Sequence, residues 1–403
     1  MNLPEGTPRE IRSSGGGAAS WLVTAWEEIV MTFRKTVSVL LVFLMVMSGC
    51  SKKTDETTGT TETTGAGSEA SVTEESVTEN TEDTTAQTET ESATSEIELT
   101  ETSKKEPEPI VFDPHLHSAA LDVACKEGYW ESFDNMVDAI MAGEDTFKCT
   151  SKEAYDWCAS DVVINYFMPA ACGFVFGDGY EDGVGKLRYE KPKEEFLARE
   201  KTFEEESMKI LNACVKSDYT DFEKALSLYV YIAENFTYAY EDEHEVQDQS
   251  PDGFGVYRCM MKKHGICFEL SGVYTFLLRQ CGIDSLKISG EGDVFHEWSY
   301  VYLYGKPYHV DVTWGRAEND PSGEVPLRFF METDMMRIED GFVFNTFVWN
   351  PLSWWVKDID KNQYVVEENT YDALHQGKFI ALDTEKKVVR FREGDEEKEW
   401  KYE

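Results

Sequence analysis

The segment "KKHGICFELSGVYTFLLRQCGI", Lys262 to Ile283, decides how the rest of the chain is read. Leu270, Val273, Tyr274, Leu277, Leu278 and Cys281 recur at intervals of three and four residues, the period of a helix with one apolar face. Gly282 supplies its stop. The helix starts on Cys267, just after a turn led by Gly265. A helix N-terminus carries unpaired N–H groups and the positive end of the macrodipole, and both favour a thiolate. A helical cysteine is most often a small buried hydrophobe, and the chain has nine cysteines. The residue type alone therefore leaves two readings, core sulfur or nucleophile.

The sequence downstream weighs on that choice. "HEWSYVYLYGKPYHVDVTW", His296 to Trp314, alternates like a hairpin that turns near Gly305–Lys306, and "SLKISG" before it reads as a further strand. His296 begins the first arm and Asp311 lies on the second. If an even number of residues joins the arms, these two side chains project from one face. A thiol nucleophile needs a histidine to pass protons and a third group to hold that histidine in one tautomer. Cys267 could also donate its own N–H to an oxyanion.

With those residues in place, the stretch 265–315 resembles the core of the transglutaminase-like superfamily, in its bacterial secreted branch. Gly265, Trp298 and Thr313 match the residues that flank the family's Cys, His and Asp, and the separations of 29 and 15 residues fit. The resemblance implies an α+β, papain-like core, with a Cys-bearing helix packed on an antiparallel sheet that carries His and Asp. It implies Cys267 as nucleophile, His296 as general base and acid, and Asp311 as the residue that orients the histidine. Trp298 and Tyr257 are the candidates for oxyanion or supporting roles, with the Tyr238/Tyr240 pair as a further possibility. The implied chemistry is acyl transfer on a peptide or protein amide through a thioester, with hydrolysis favoured over cross-linking and no metal or organic cofactor required. A different class of function remains open: an adhesion or scaffolding protein that keeps the three residues unused.

Upstream, "MTFRKTVSVLLVFLMVMSGC" from Met31 has a short basic segment, an apolar run and small residues before Cys50. It suits a signal peptide over 31–49 and resembles the bacterial lipoprotein signal, which implies lipidation of Cys50 and a membrane anchor with the protein facing outside. Residues 1–30 read as an upstream start artefact. Residues 50–109 are rich in Thr, Ser and Glu; 16 acidic residues stand against 4 lysines from 51 to 109, with no aromatic. Such a stretch cannot bury enough surface to offset its ordering entropy, so a disordered, extended linker is expected. Beyond it, 110–216 reads as a mixed α/β region, 217–345 as the transglutaminase-like core, and 346–403 as a β-rich C-terminal extension. "VVINYFMPAACGFVF" reads as one or two strands, whereas "TDFEKALSLYVYIAENF" reads as a helix opened by a Thr220/Glu223 capping box.

Other features carry less. A net charge of −39 without any basic stripe argues against a nucleic-acid partner. "DPHLH", Asp113 to His117, has the look of a metal-binding histidine pair but lacks further ligands nearby, so no metal is expected. Tyr300, Tyr302 and Tyr304 suggest an aromatic ladder on a strand face, and Trp354–Trp355 suggest packing. Cys281 reads as core. Setting Cys50 and Cys267 aside leaves seven cysteines without close paired spacing, so no disulfide framework is indicated.

Overall fold

The computed structural model of the protein describes residues 109–240 and 255–403. The expected signal segment, Cys50 and nearly all of the expected linker lie outside the described residues. The chain opens with helix α1 (Tyr129–Ala142), closed by Gly143 at φ +67, and strand β1 (Thr146–Lys148). Two short helices follow, α2 (Lys152–Cys158) and α3 (Asp161–Phe167), whose first turns are capped by the Ser151 and Ser160 hydroxyls. The strand expected over Val162–Phe167 is therefore a helix. The Ser160 cap starts it, and Val163, Ile164, Tyr166 and Phe167 are all buried, so tertiary burial overrides their β preference. Strands β2 (Val175–Glu181) and β3 (Val184–Tyr189) complete an antiparallel sheet in the order β1-β3-β2.

Helices α4 (Lys193–Cys214) and α5 (Asp221–Asn235) come next. The expected capping box is present: Thr220 accepts from the Glu223 N–H, and the Glu223 carboxylate accepts from the Thr220 N–H. Strand β4 (Thr237–Tyr238), helix α6 (Val256–Lys262) and strand β5 (His264–Gly265) lead into α7 (Cys267–Gln280), with β4 and β5 paired in parallel. Strands β6 (Ser285–Gly290), β7 (His296–Leu303) and β8 (Lys306–Val310) then form an antiparallel sheet, and β9 (Val348–Asn350) adds to it beyond helix α8 (Asp334–Glu339). Its order is β8-β7-β6-β9. The β7–β8 turn is Tyr304–Gly305, at φ +52 and +77, the left-handed pair that suits a two-residue hairpin loop. Tyr304 thus sits in the turn rather than on the ladder. Tyr300 is buried and donates to the Tyr364 carbonyl. Strands β10 (Lys378–Asp383), β11 (Val388–Glu393) and β12 (Glu396–Lys401) make a C-terminal meander.

What positions the site is the burial of α7. One side packs on the β6–β9 sheet, and Tyr274 donates from the helix to the Ala225 carbonyl of α5. Residues before α4 close over another side. Gln280 exchanges hydrogen bonds with the Asp113 backbone, the Tyr166 hydroxyl donates to the Ser285 carbonyl, and the Arg279 guanidinium lies 3.9 Å from the Tyr166 ring. Every residue from Glu269 to Gln280 is buried as a result. The region 110–216 is therefore packed onto the core. The meander is tied to α5 through Glu223, which accepts from Lys387 and Tyr402.

Candidate active site

The start of α7 is held by a buried carboxylate. Glu269 accepts from the Ile266 N–H at 3.0 Å, the Gly255 N–H at 2.8 Å, and Arg258 Nε and Nη2 at 3.0 and 2.8 Å. A Cβ at Gly265 would meet Cys259 Sγ at 2.7 Å and Glu269 Oε2 at 2.9 Å, so the approach to Cys267 requires glycine. Cys267 is half-buried. As the first residue of its helix, its N–H has no intrahelical acceptor and faces the N-terminal end.

The hairpin delivers the other two residues. Ser299 pairs with Val310, so one further step of the register sets Asp311 level with Trp298 and diagonal to His296. The two-residue turn fixes that parity, and side chains at alternate positions share a face. His296 Nε2 and Asp311 Oδ2 are 2.8 Å apart. The ring's other nitrogen, Nδ1, is left for Cys267, whose sulfur is near enough to act on the imidazole. The three residues expected from the sequence thus meet in one place.

Asp311 is fully buried and saturated. Its Oδ1 accepts from the Thr313 and Trp314 N–H groups at 2.9 and 3.0 Å, and its Oδ2 accepts from Arg337 Nη2 at 3.1 Å besides the histidine. Burial alone would raise its pKa, but the His296 and Arg337 charges and the Trp314 N–H outweigh it and hold Asp311 at about 2. Burial also works against the His296 imidazolium. The charge of the Asp311 carboxylate and its hydrogen bond to the imidazole, with the neighbouring Cys267 sulfur, reverse that and lift His296 from 6.5 to about 9. The imidazole lies between aromatic rings: Trp314 is stacked at 5.0 Å, Phe342 at 5.9 Å and Trp298 at 6.0 Å.

Two expectations need revision or narrowing. Trp298 does not point its indole N–H at an oxyanion, because it donates to His309 Nδ1 at 3.0 Å while His309 Nε2 is 2.7 Å from Asp334 Oδ1. Its contribution is a stacked wall beside His296. Tyr257 lies on α6 with its ring 3.3 Å from the Arg199 guanidinium and 5.9 Å from Phe203. The sequence reading missed Trp314, Phe342, the His309–Asp334 pair and Arg337. Trp314 stood within the quoted hairpin and could have been found there. Arg337 had no local signal, since it comes from a short helix 26 residues beyond Asp311. The histidines of "DPHLH" take separate partners, His115 with Asp138 and His117 with Asp134.

A helix-borne thiol, a strand-borne histidine and a carboxylate that fixes the histidine's far nitrogen make the arrangement that a thiol nucleophile needs, on a frame of helices and antiparallel sheet. Residues 209–314 match the family model described as the transglutaminase-like superfamily, and this part of the chain is a transglutaminase-like core. Among solved structures, the chain is similar to one described as "a TGase", at 15% identity and a TM-score of 0.25, covering 37% of this chain and 47% of that one. It is also similar to one described as "a Putative Cysteine Protease" from Cytophaga hutchinsonii, at 12% identity and a TM-score of 0.23, covering 36% of this chain and 63% of that one. The chain thus spans less than two thirds of either. No curated protein sequence matches it.

Proposed function

We propose that the protein is a cysteine enzyme that acts on peptide or protein amides, with water as the usual acceptor. The observation that carries this is the shared line from Cys267 through His296 to a saturated, ionised Asp311. The Cys267 sulfur attacks the amide carbonyl, forming the S–C bond, while the carbonyl oxygen takes the negative charge beside the helix N-terminus. His296 gives its proton to the leaving nitrogen as the C–N bond breaks, and a thioester remains. Water, losing a proton to His296, then attacks the thioester, releases a carboxylic acid and restores the thiol. An amine in place of water would give a cross-link by the same route. Trp298 supports the imidazole, and Tyr257 is retained as an oxyanion-side candidate.

Competitive labelling tests the reading. Substoichiometric iodoacetamide at neutral pH, followed by peptide mapping, should mark Cys267 ahead of every other cysteine. Burial pushes Cys125, Cys214 and Cys281 up to about 12 and also raises Cys172 and Cys259. Among the described residues Cys149 is the one serious competitor: a hydrogen bond with Cys158 lowers it to about 6, but it is only 3% exposed. Labelling spread evenly over several cysteines would mean a scaffold with an idle triad.

The proposal includes an address. The mature chain would begin at a lipidated Cys50, with residues 51–109 as an acidic tether that holds the enzyme off the outer face of a bacterial membrane. The apolar run ending in "SGC" supports this. Expression in a bacterium fed a labelled fatty acid should label the wild type and not Cys50→Ala. Equal labelling of both sinks the address while leaving the chemistry standing.

A further inference from the structure

Behind Asp311 lies a buried cation outside the span 209–314 that matches the family. Arg337, on α8, is fully buried, with its guanidinium 4.3 Å from the Trp298 ring, 4.6 Å from Phe342 and 5.0 Å from Trp314. These rings are the ones that flank His296. Its Nη2 donates to Asp311 Oδ2, and its Nη1 donates to Glu332 Oε2 at 3.1 Å and Asp340 Oδ2 at 3.4 Å. Glu332 is buried in turn and also bonded to Arg328. Arg337 and His296 therefore share one carboxylate oxygen, which sets their bonding nitrogens within about 6 Å of each other.

We infer that Arg337 is a positioning residue: its rigid fork fixes Asp311 toward His296, and its charge, competing for the same oxygen, limits how strongly the imidazole holds its proton. This rests on the proposed reading of the site. A general acid that is too basic transfers its proton poorly to the leaving amine, so the competition tunes His296 toward use. Among the described residues, the charged or titratable groups acting on His296 are Cys267 from α7 and Asp311 beyond β8, and Arg337 from α8 stands against the same Asp311 oxygen. Glu332 and Asp340 stand behind Arg337, and the His309–Asp334 pair lies beyond Trp298. Burial and Asp340 lift Glu332 to about 8 against the pull of Arg337 and Arg328, so it gains charge as the solution becomes alkaline and partly cancels Arg337 there.

The test uses the full chain and two small alkylating agents. A cationic imidazolium beside the thiolate favours anionic iodoacetate over neutral iodoacetamide, so the ratio of their rates at Cys267 reports His296 protonation. In the wild type this ratio should fall with a midpoint near pH 9. Arg337→Met should move the midpoint up by roughly one to two pH units and slow both reagents, while Arg337→Lys, which keeps the charge, should restore the midpoint without the full rate. Should Arg337→Met fail to fold, Glu332→Gln provides the opposite sign: removing the anion that cancels Arg337 should move the midpoint down. A midpoint unchanged in folded Arg337→Met, or unchanged in Glu332→Gln, overturns the inference and leaves Arg337 a structural residue. Unselective labelling of wild-type Cys267 would instead sink the reading of the site itself.

Discussion

His296→Ala should slow alkylation of Cys267 by iodoacetamide at neutral pH by about a hundredfold or more, in the range that a positioned acid–base group contributes. The expected size follows from what His296 does in the structure. It is close enough to the sulfur for the two to act on each other, and the Asp311 carboxylate keeps its positive charge in place to about pH 9. Without the imidazole, the attacking sulfur loses its proton partner, and a helix N-terminus acts only within its first turn. Asp311→Asn should act more mildly in this assay, through the tautomer and aim of His296. Amide turnover, once a substrate is in hand, should suffer at least as much as alkylation, because the leaving nitrogen also loses its proton donor. A His296→Ala protein that alkylates within threefold of wild type would show that Cys267 owes nothing to its neighbour, and the triad would be coincidental.

Glu269→Ala should destabilise the folded domain by about 3–5 kcal/mol, the usual cost of removing one partner from a buried ion pair. The carboxylate is completely buried and carries Arg258, the Ile266 N–H and the Gly255 N–H together. Its removal takes the carboxylate from a buried guanidinium and uncaps the turn from which Cys267 emerges. Urea unfolding measures the loss, and cysteine mapping on the folded fraction should show Cys267 labelling fall at the same time. Glu269→Gln keeps the shape and some hydrogen bonds but gives up the charge, so its loss should be intermediate. A cost below about 1 kcal/mol for Glu269→Ala would mean that Arg258 does not depend on this carboxylate and that α7 starts correctly without it.

The proposed triad was legible as a constellation because each member sits where local rules speak clearly. Helical periodicity placed Cys267 at a helix start, and any loop of even length sets His296 and Asp311 on one face; the turn itself falls at Tyr304–Gly305, one residue earlier than the expected Gly305–Lys306. The sequence could not reveal what only tertiary packing decides. Val162 to Phe167 read as a strand from their side chains and became a helix because four of them found a core to fill. The indole of Trp298 was free to serve an oxyanion until the fold set His309 against its N–H. Arg337 left no trace in any motif, since its role depends on a six-residue helix returning to the back of the hairpin. The expected linker and Cys50 lie beyond the described residues and remain proposals.

The enclosure of α7 has a consequence for modularity. The span that matches the family, 209–314, is not a cassette that could be grafted or exchanged on its own. Cut to those limits, Phe276 would lose both Phe112 and Phe203, Arg279 would lose the Tyr166 ring, and β6 would lose β9 as a neighbour. Asp311 would keep its backbone donors but lose Arg337. The smallest transplantable unit therefore runs from near residue 110 to the C-terminal meander. Insertions that diversify this protein would be tolerated in its surface loops sooner than at the edges of its recognisable motif.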